Sequence, residues 1–236
     1  MKEQPLTYAG CKKDFIKYLM ELTWTRDKGQ VYCDFLELAA IAISNRCDMI
    51  HHDEREERYL SLISEYPKGK IDLFCSMLSC VMQACNLSAE SPKDFLGEIY
   101  HELELHNKWK GQFFTPIHIC NFMGEIQMID IEDQFHEKEY VTVSDPCVGS
   151  GAMLLGFANA MSTHRYDYTT RMRATATDID LKCVHMAYIQ TSLYGIPAVI
   201  VHGDSLTLAE WSHWFTPAMC RMLATENEPT STVAAV

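Results

Sequence analysis

Val141-Thr142-Val143-Ser144-Asp145-Pro146-Cys147-Val148-Gly149-Ser150-Gly151-Ala152-Met153-Leu154-Leu155 is the stretch that decides the fold of this chain. A β-rich run enters a turn of small residues, and an apolar stretch of helical length leaves it. Strand, glycine turn and helix in that order make a ligand-binding turn. Glycines let backbone N–H groups approach a ligand, the helix start favours a carboxylate or phosphate, and Asp145 at the strand end can accept from an ammonium group. That charge pattern suits an amino-acid zwitterion. Asp145, Gly149, Ser150 and Gly151 are the first candidate binding residues.

Downstream, β-rich runs at Ala174 to Thr177 and Ala198 to Val201 alternate with apolar helical stretches at 151–163 and 180–194. Such alternation implies a mostly parallel sheet with right-handed crossovers. The next two strands also end in acids. Asp178 closes Ala174-Thr175-Ala176-Thr177-Asp178, where a carboxylate in a nucleotide-binding sheet accepts from ribose hydroxyls. Asp204 closes Val199-Ile200-Val201-His202-Gly203-Asp204, and Asp180 is placed to cap the following helix. All three strand-end acids fall on the edge where open sheets of this class bind ligands.

Upstream, from Asp14 to Leu105, apolar residues recur at helical spacing, which predicts a bundle of four or five helices. Breaks are expected at Lys28-Gly29, at Pro67 to Lys70, and at Ser88 to Pro92, with Ser91 as a cap. The mixed charges of 53–58 read as a solvated face. Phe114-Thr115-Pro116 and Phe215-Thr216-Pro217 each read as a helix start with a threonine cap and a first-turn proline. Trp211, Trp214 and Phe215 stand at helical spacing and read as core. The expected division is a helical domain over 1–110, a shortened α/β domain over 111–217, and a loose tail over 218–236.

Composition limits the function. The 236 residues carry 20 Lys+Arg against 32 Asp+Glu, a formal charge of −12, so no chain-wide basic field exists to hold DNA. Residues 112–236 are the more acidic part, with 6 basic and 14 acidic side chains. The charged opening MKEQPLTYAGCKKDF lacks the apolar run of a signal peptide, so the chain reads as cytoplasmic. Ten cysteines without a CxxC pair fit reduced thiols, and no metal site is expected. Gly195 and Pro197 interrupt the uncharged run 183–203, which therefore reads as helix, turn and strand, with no membrane span.

Four ordered motifs, GQFFTP at 111–116, DPCVGSG at 145–151, ATDID at 176–180 and HGDSL at 202–206, carry a resemblance. Over roughly residues 92–206 the chain resembles the adenine-specific DNA methyltransferases of the type I restriction-modification modification-subunit class. The resemblance implies a Rossmann-like fold and S-adenosylmethionine as cofactor. It implies that Gln112, Phe113, Phe114, Thr115 and Pro116, with Asp145, Gly149, Ser150 and Gly151, line the methionine end. Asp178 would take the ribose and Asp204 the adenine amine. The family's Asn-Pro-Pro-aromatic tetrapeptide, which accepts from the target adenine amine and stacks on the base, has no counterpart, because none of the eight prolines is followed by another. The implied activity is adenine methylation in DNA with a partner; the alternative is a cofactor-binding regulatory or assembly subunit. Only 32 residues follow Asp204, so the sheet is expected to stop after its third strand. Residues 140–144 would then form an open edge, inviting a homodimer or a second subunit.

Overall fold

In the computed structural model, residues 5–24, 26–105 and 114–226 are described. The sequence first builds five helices: α1 (Tyr8–Met20), α2 (Lys28–Ser44), α3 (His52–Ser64), α4 (Asp72–Leu87) and α5 (Phe95–Glu102). Side-chain caps set the starts of three. Thr7 accepts from Gly10 N at 3.1 Å, Asp27 from Gly29 N at 2.8 Å, and Asp94 from Gly97 N at 2.9 Å. Lys28-Gly29 is therefore the first turn of α2, where a break was expected. Asp94 takes the capping role assigned to Ser91, and a short 3-10 turn at Lys68–Lys70 fills the expected break there. Phe15, Phe35 and Phe95 meet edge-on at the bundle centre, with Phe15 to Phe35 at 4.9 Å. The charged face of α3 is solvated except at Arg55, which is buried.

After α6 (Ile117–Gln127) and α7 (Ile131–Glu137), strands and helices alternate: β1 (Val141–Asp145), α8 (Ala152–Thr163), α9 (Tyr168–Arg171), β2 (Met172–Asp178), α10 (Leu181–Leu193), β3 (Ala198–Asp204), β4 (Ala209–Phe215) and α11 (Pro217–Glu226). The sheet order is β1-β2-β3-β4, parallel except for the antiparallel β3–β4 pair. This is the expected α/β architecture, a helical bundle leaning on a mostly parallel sheet. One buried cluster runs without a break from Cys11 in α1 to Trp214 in β4, so the core does not divide at residue 110.

Three expectations change. The aromatics at 211–215 lie on a fourth strand: Trp214 faces inward at 6% exposure and Trp211 outward at 54%, the alternation of a strand. Spacings of three and four residues also suit a helix, so periodicity alone could not separate the two. Helix α11 (Pro217–Glu226) takes up residues 218–226 of the expected loose tail. Thr216 caps it, accepting from Met219 N at 3.3 Å while donating to Ile196 O at 2.8 Å. Thr115 does not cap α6: extended Pro116 precedes the helix, whose first residue is Ile117.

Helices α6 and α8 cross at glycines. A Cβ on Gly156 would lie 2.4 Å from the Cys120 carbonyl carbon, a distance no packing adjustment of a side chain can relieve. Gly156→Val is expected to cost about 3 kcal/mol in chemical denaturation, because two backbones must separate.

Candidate functional site

Asp145 ends β1, and the chain turns through 146–151 before α8. Gly149 and Gly151 take positive φ of 55° and 95°, which a side chain would strain. Backbone bonds shape the turn: Cys147 N donates to Asp145 Oδ1 at 3.0 Å, Val148 N to Thr177 O at 2.9 Å, and Gly151 N to Val148 O at 2.9 Å. Gly149 N donates to Asp178 Oδ2 at 2.9 Å, so the acid ending β2 is in contact with the glycine turn. The other Asp178 oxygen accepts from Asp180 N at 2.9 Å. Asp180 caps α10 as expected, accepting from Lys182 N at 3.0 Å.

A cavity of about 290 Å³ opens over this turn, lined by Phe114, Thr115, Gly149, Ser150 and Asp178 together with Cys147, Val148 and Met153. The Phe114 ring covers Gly149 so closely that a Cβ there would sit 3.0 Å from it. Asp145 borders a smaller adjoining hollow with Val143, Ser144 and Met153. Burial raises the Asp145 carboxyl above its ordinary range; the Cys147 N–H opposes the rise and the charge of Asp178 adds to it. A cationic ligand group beside these two carboxylates would relieve both effects.

The structure thus brings Phe114, Thr115, Asp145, Gly149, Ser150 and Asp178 together. Pro116 and Gly151 support the turn and its neighbouring helix without lining the cavity, and Gln112 and Phe113 lie outside the described residues. Asp204 also stands apart: its carboxylate accepts from Leu206 N at 2.9 Å and closes the turn after β3. Its neighbour Ser205 does reach the glycine turn, its hydroxyl donating to the Pro146 carbonyl.

Sequence reading missed the group that holds the turn from behind. Asp94 is buried, pairs with no cation among the described residues, and accepts from Ser150 Oγ at 2.6 Å, Gln190 Nε2 at 2.9 Å and Gly97 N. Gln190 also donates to Ser150 O at 2.8 Å and accepts from Leu96 N at 3.1 Å. Burial raises the Asp94 carboxyl, against the hydrogen bonds of Ser150, Gln190 and Gly97. Its signal was the cap preference of an aspartate ahead of an apolar helix.

Among the described residues, no helix is long and apolar enough to cross a membrane. A model of the N-6 DNA methylase family matches residues 91–228. Among solved structures, the chain is similar to the methyltransferase subunit of a type I restriction-modification system from Streptococcus thermophilus, with 15% identity and a TM-score of 0.46 over 85% of this chain and 59% of that one. It is also similar to a protein described as a class I S-adenosylmethionine-dependent methyltransferase from Listeria monocytogenes, with 13% identity and a TM-score of 0.43 over 84% and 54%. The chain spans less than two thirds of either. No curated protein matches it.

Proposed function

The chain belongs to the N-6 DNA methylase family, and on that premise we propose that it binds S-adenosylmethionine over the turn after β1 and serves methyl transfer to the exocyclic amine of adenine in DNA, acting with a partner. The observation that carries the reading is the cavity itself, where a positive-φ glycine turn, an aromatic cover and the strand-end carboxylate of Asp178 surround one space. The lining fits the cofactor: the Thr115 hydroxyl can donate to a carboxylate, Asp145 can accept from an ammonium group, and Asp178 can accept from the ribose. When bound, the cofactor would supply an electrophilic methyl group.

Phe114 and Thr115, with Gln112, Phe113 and Pro116 of the same segment, would cover the methionine end. Asp145, Gly149, Ser150 and Gly151 would hold its charged groups. Asp204, beyond the cavity lining, would meet the adenine amine at the far end. Transfer also needs acceptors for the target amine and a face on which the base can stack, to hold nitrogen in line with the methyl carbon. The sequence has no Pro-Pro-aromatic segment for this, and a chain of charge −12 repels DNA, so both requirements point to a partner. The same absence favours a second reading, a regulatory subunit that binds the cofactor without transferring its methyl. Labelled S-adenosylmethionine and duplex DNA, with and without the partner, separate the two: label in adenine supports transfer, and bound cofactor without label supports the second.

Asp178→Ala is expected to weaken cofactor binding by about 1–3 kcal/mol, roughly 5- to 150-fold, since a charged hydrogen-bond acceptor is lost. Unchanged affinity would refute the ribose placement. Asp145 predicts a pH dependence. Its carboxyl is raised, so it remains protonated to higher pH than an ordinary aspartate, and a cation is held by the ionised form. Affinity should therefore rise with pH through that raised value and level off above it. Asp145→Asn should flatten the profile; a profile of the same shape in the variant would remove Asp145 from the site.

A further inference from the structure

One helix of the bundle reaches two sides of the cavity over the glycine turn. Asp94, the cap of α5, accepts from the hydroxyl of Ser150, which lines the cavity beside that turn. Tyr100 and His101, near the other end of α5, back the aromatic cover. The Phe114 ring stands 5.0 Å from the Tyr100 ring, tilted at 47°, and 5.5 Å from the His101 ring at 70°. The cap and the two rings lie within two turns of one another on a single rigid element. Phe114 itself belongs to no helix or strand, so its ring depends on side-chain contacts for its place.

Those contacts are in turn held from behind. Tyr32 of α2 stands 6.2 Å from the Tyr100 ring and donates its hydroxyl hydrogen to Leu96 O at 2.8 Å, which seats α5 against the bundle. Lys182, at the start of α10, lies 4.9 Å from the centre of the Tyr100 ring and donates to its hydroxyl at 3.4 Å. The same ammonium pairs with Asp180 at 3.1 Å, and Asp180 N donates to Asp178, an acid of the cavity lining. A closed circuit of contacts therefore runs from Gly149 through Phe114, Tyr100, Lys182, Asp180 and Asp178 back to Gly149 N. Tyr100, His101 and Lys182 all lie outside the cavity lining.

We infer that Tyr100 and His101 are positioning residues: they hold Phe114 at a fixed height over the glycine turn, so that α5 sets the width of the slot for the methionine end of the cofactor. Aromatic rings in tilted and edge-on contact resist displacement, and a cover already in place spares the ligand the cost of ordering it. The inference rests on the cofactor reading above and adds residues beyond the cavity that shape one end of it.

Titration calorimetry of the full chain with two probes is the test. One is S-adenosylmethionine; the other is methylthioadenosine, which keeps the nucleoside and the sulfur but lacks the amino-acid part. Wild type should bind both. His101→Ala, at a half-buried position, should weaken S-adenosylmethionine about three- to tenfold and methylthioadenosine less than about twofold. Tyr100→Leu should widen that difference beyond about tenfold, and Tyr100→Phe, which keeps the ring, should hold S-adenosylmethionine within about threefold of wild type. General damage to the fold would weaken the two probes alike, since both share the nucleoside; where Tyr100→Leu fails to fold, His101→Ala decides. Equal losses of the two probes, or S-adenosylmethionine affinity unchanged, would overturn the inference and leave the cofactor reading standing, as would a wild type that binds S-adenosylmethionine alone. A wild type that binds neither probe would remove that reading and the inference with it.

Discussion

Arg55→Ala is expected to destabilise the fold by about 3–5 kcal/mol, the cost of leaving a buried carboxylate without its cation. The guanidinium donates to Asp48 Oδ2 at 2.7 Å, to the Ser44 hydroxyl and to His213 O at 2.7 Å, and its carbon lies 3.9 Å from the centre of the Trp214 ring. One side chain thus ties α3 to α2 and to the last strand of the sheet. Removing it takes the guanidinium from Asp48, which is itself buried at 6% exposure and keeps only the His51 ring and the N–H groups of Ile50 and His51. Arg58 supplies the control: it pairs with Glu37 at 2.7 Å but is half exposed, so Arg58→Ala should cost about 1 kcal/mol or less. Acid should narrow the difference between wild type and Arg55→Ala. Burial pushes the Asp48 carboxyl up, but the His51 hydrogen bond and the Arg55 charge outweigh it and hold the group below its ordinary value. A depressed carboxyl stabilises the fold above its unfolded value, and that contribution is lost as pH falls through the folded one. Urea titrations at neutral and acid pH read both effects. Equal costs for the two arginines would show that Arg55 is no latch.

Asp94→Ala should have the second largest effect, about 2–4 kcal/mol. The cap of α5 is lost, at about 1 kcal/mol, and the buried donors Ser150 Oγ and Gln190 Nε2 lose an acceptor, at about 1–3 kcal/mol together. The variant also frees Ser150 from behind, so cofactor affinity should fall although residue 94 lies outside the cavity lining. Ser150→Ala, which removes one of those bonds and leaves the cap, should weaken binding with a smaller loss of stability. A variant of Asp94 that is destabilised yet binds unchanged would show that the network supports the fold alone.

The parallel part of the sheet was legible because its signals are local. Each strand there is a short β-rich run ending in aspartate, and the helices α8 and α10 that follow β1 and β2 are largely apolar, so 151–163 and 180–194 fall within a residue of α8 and α10. The site was legible for the same reason at Gly149, Ser150 and Asp178, which occur at fixed places after strands. Three features were not. Strand β4 has no alternation a helix could not share, and only its pairing with β3 decides the matter. Helix α11 is a weak amphipathic segment anchored by Thr216, whose partners at Ile196 and Ala198 lie about twenty residues back along the chain. The Asp94 network joins residues 56 and 96 positions apart, a separation no spacing rule reaches.

Titration calorimetry of the full chain with S-adenosylmethionine tests the central claim most directly. The account predicts saturable binding at one site, abolished by Gly149→Val, whose side chain would meet Phe114 at a backbone angle that favours glycine. Absence of binding by a folded wild-type chain, or undiminished binding by that variant, would contradict it.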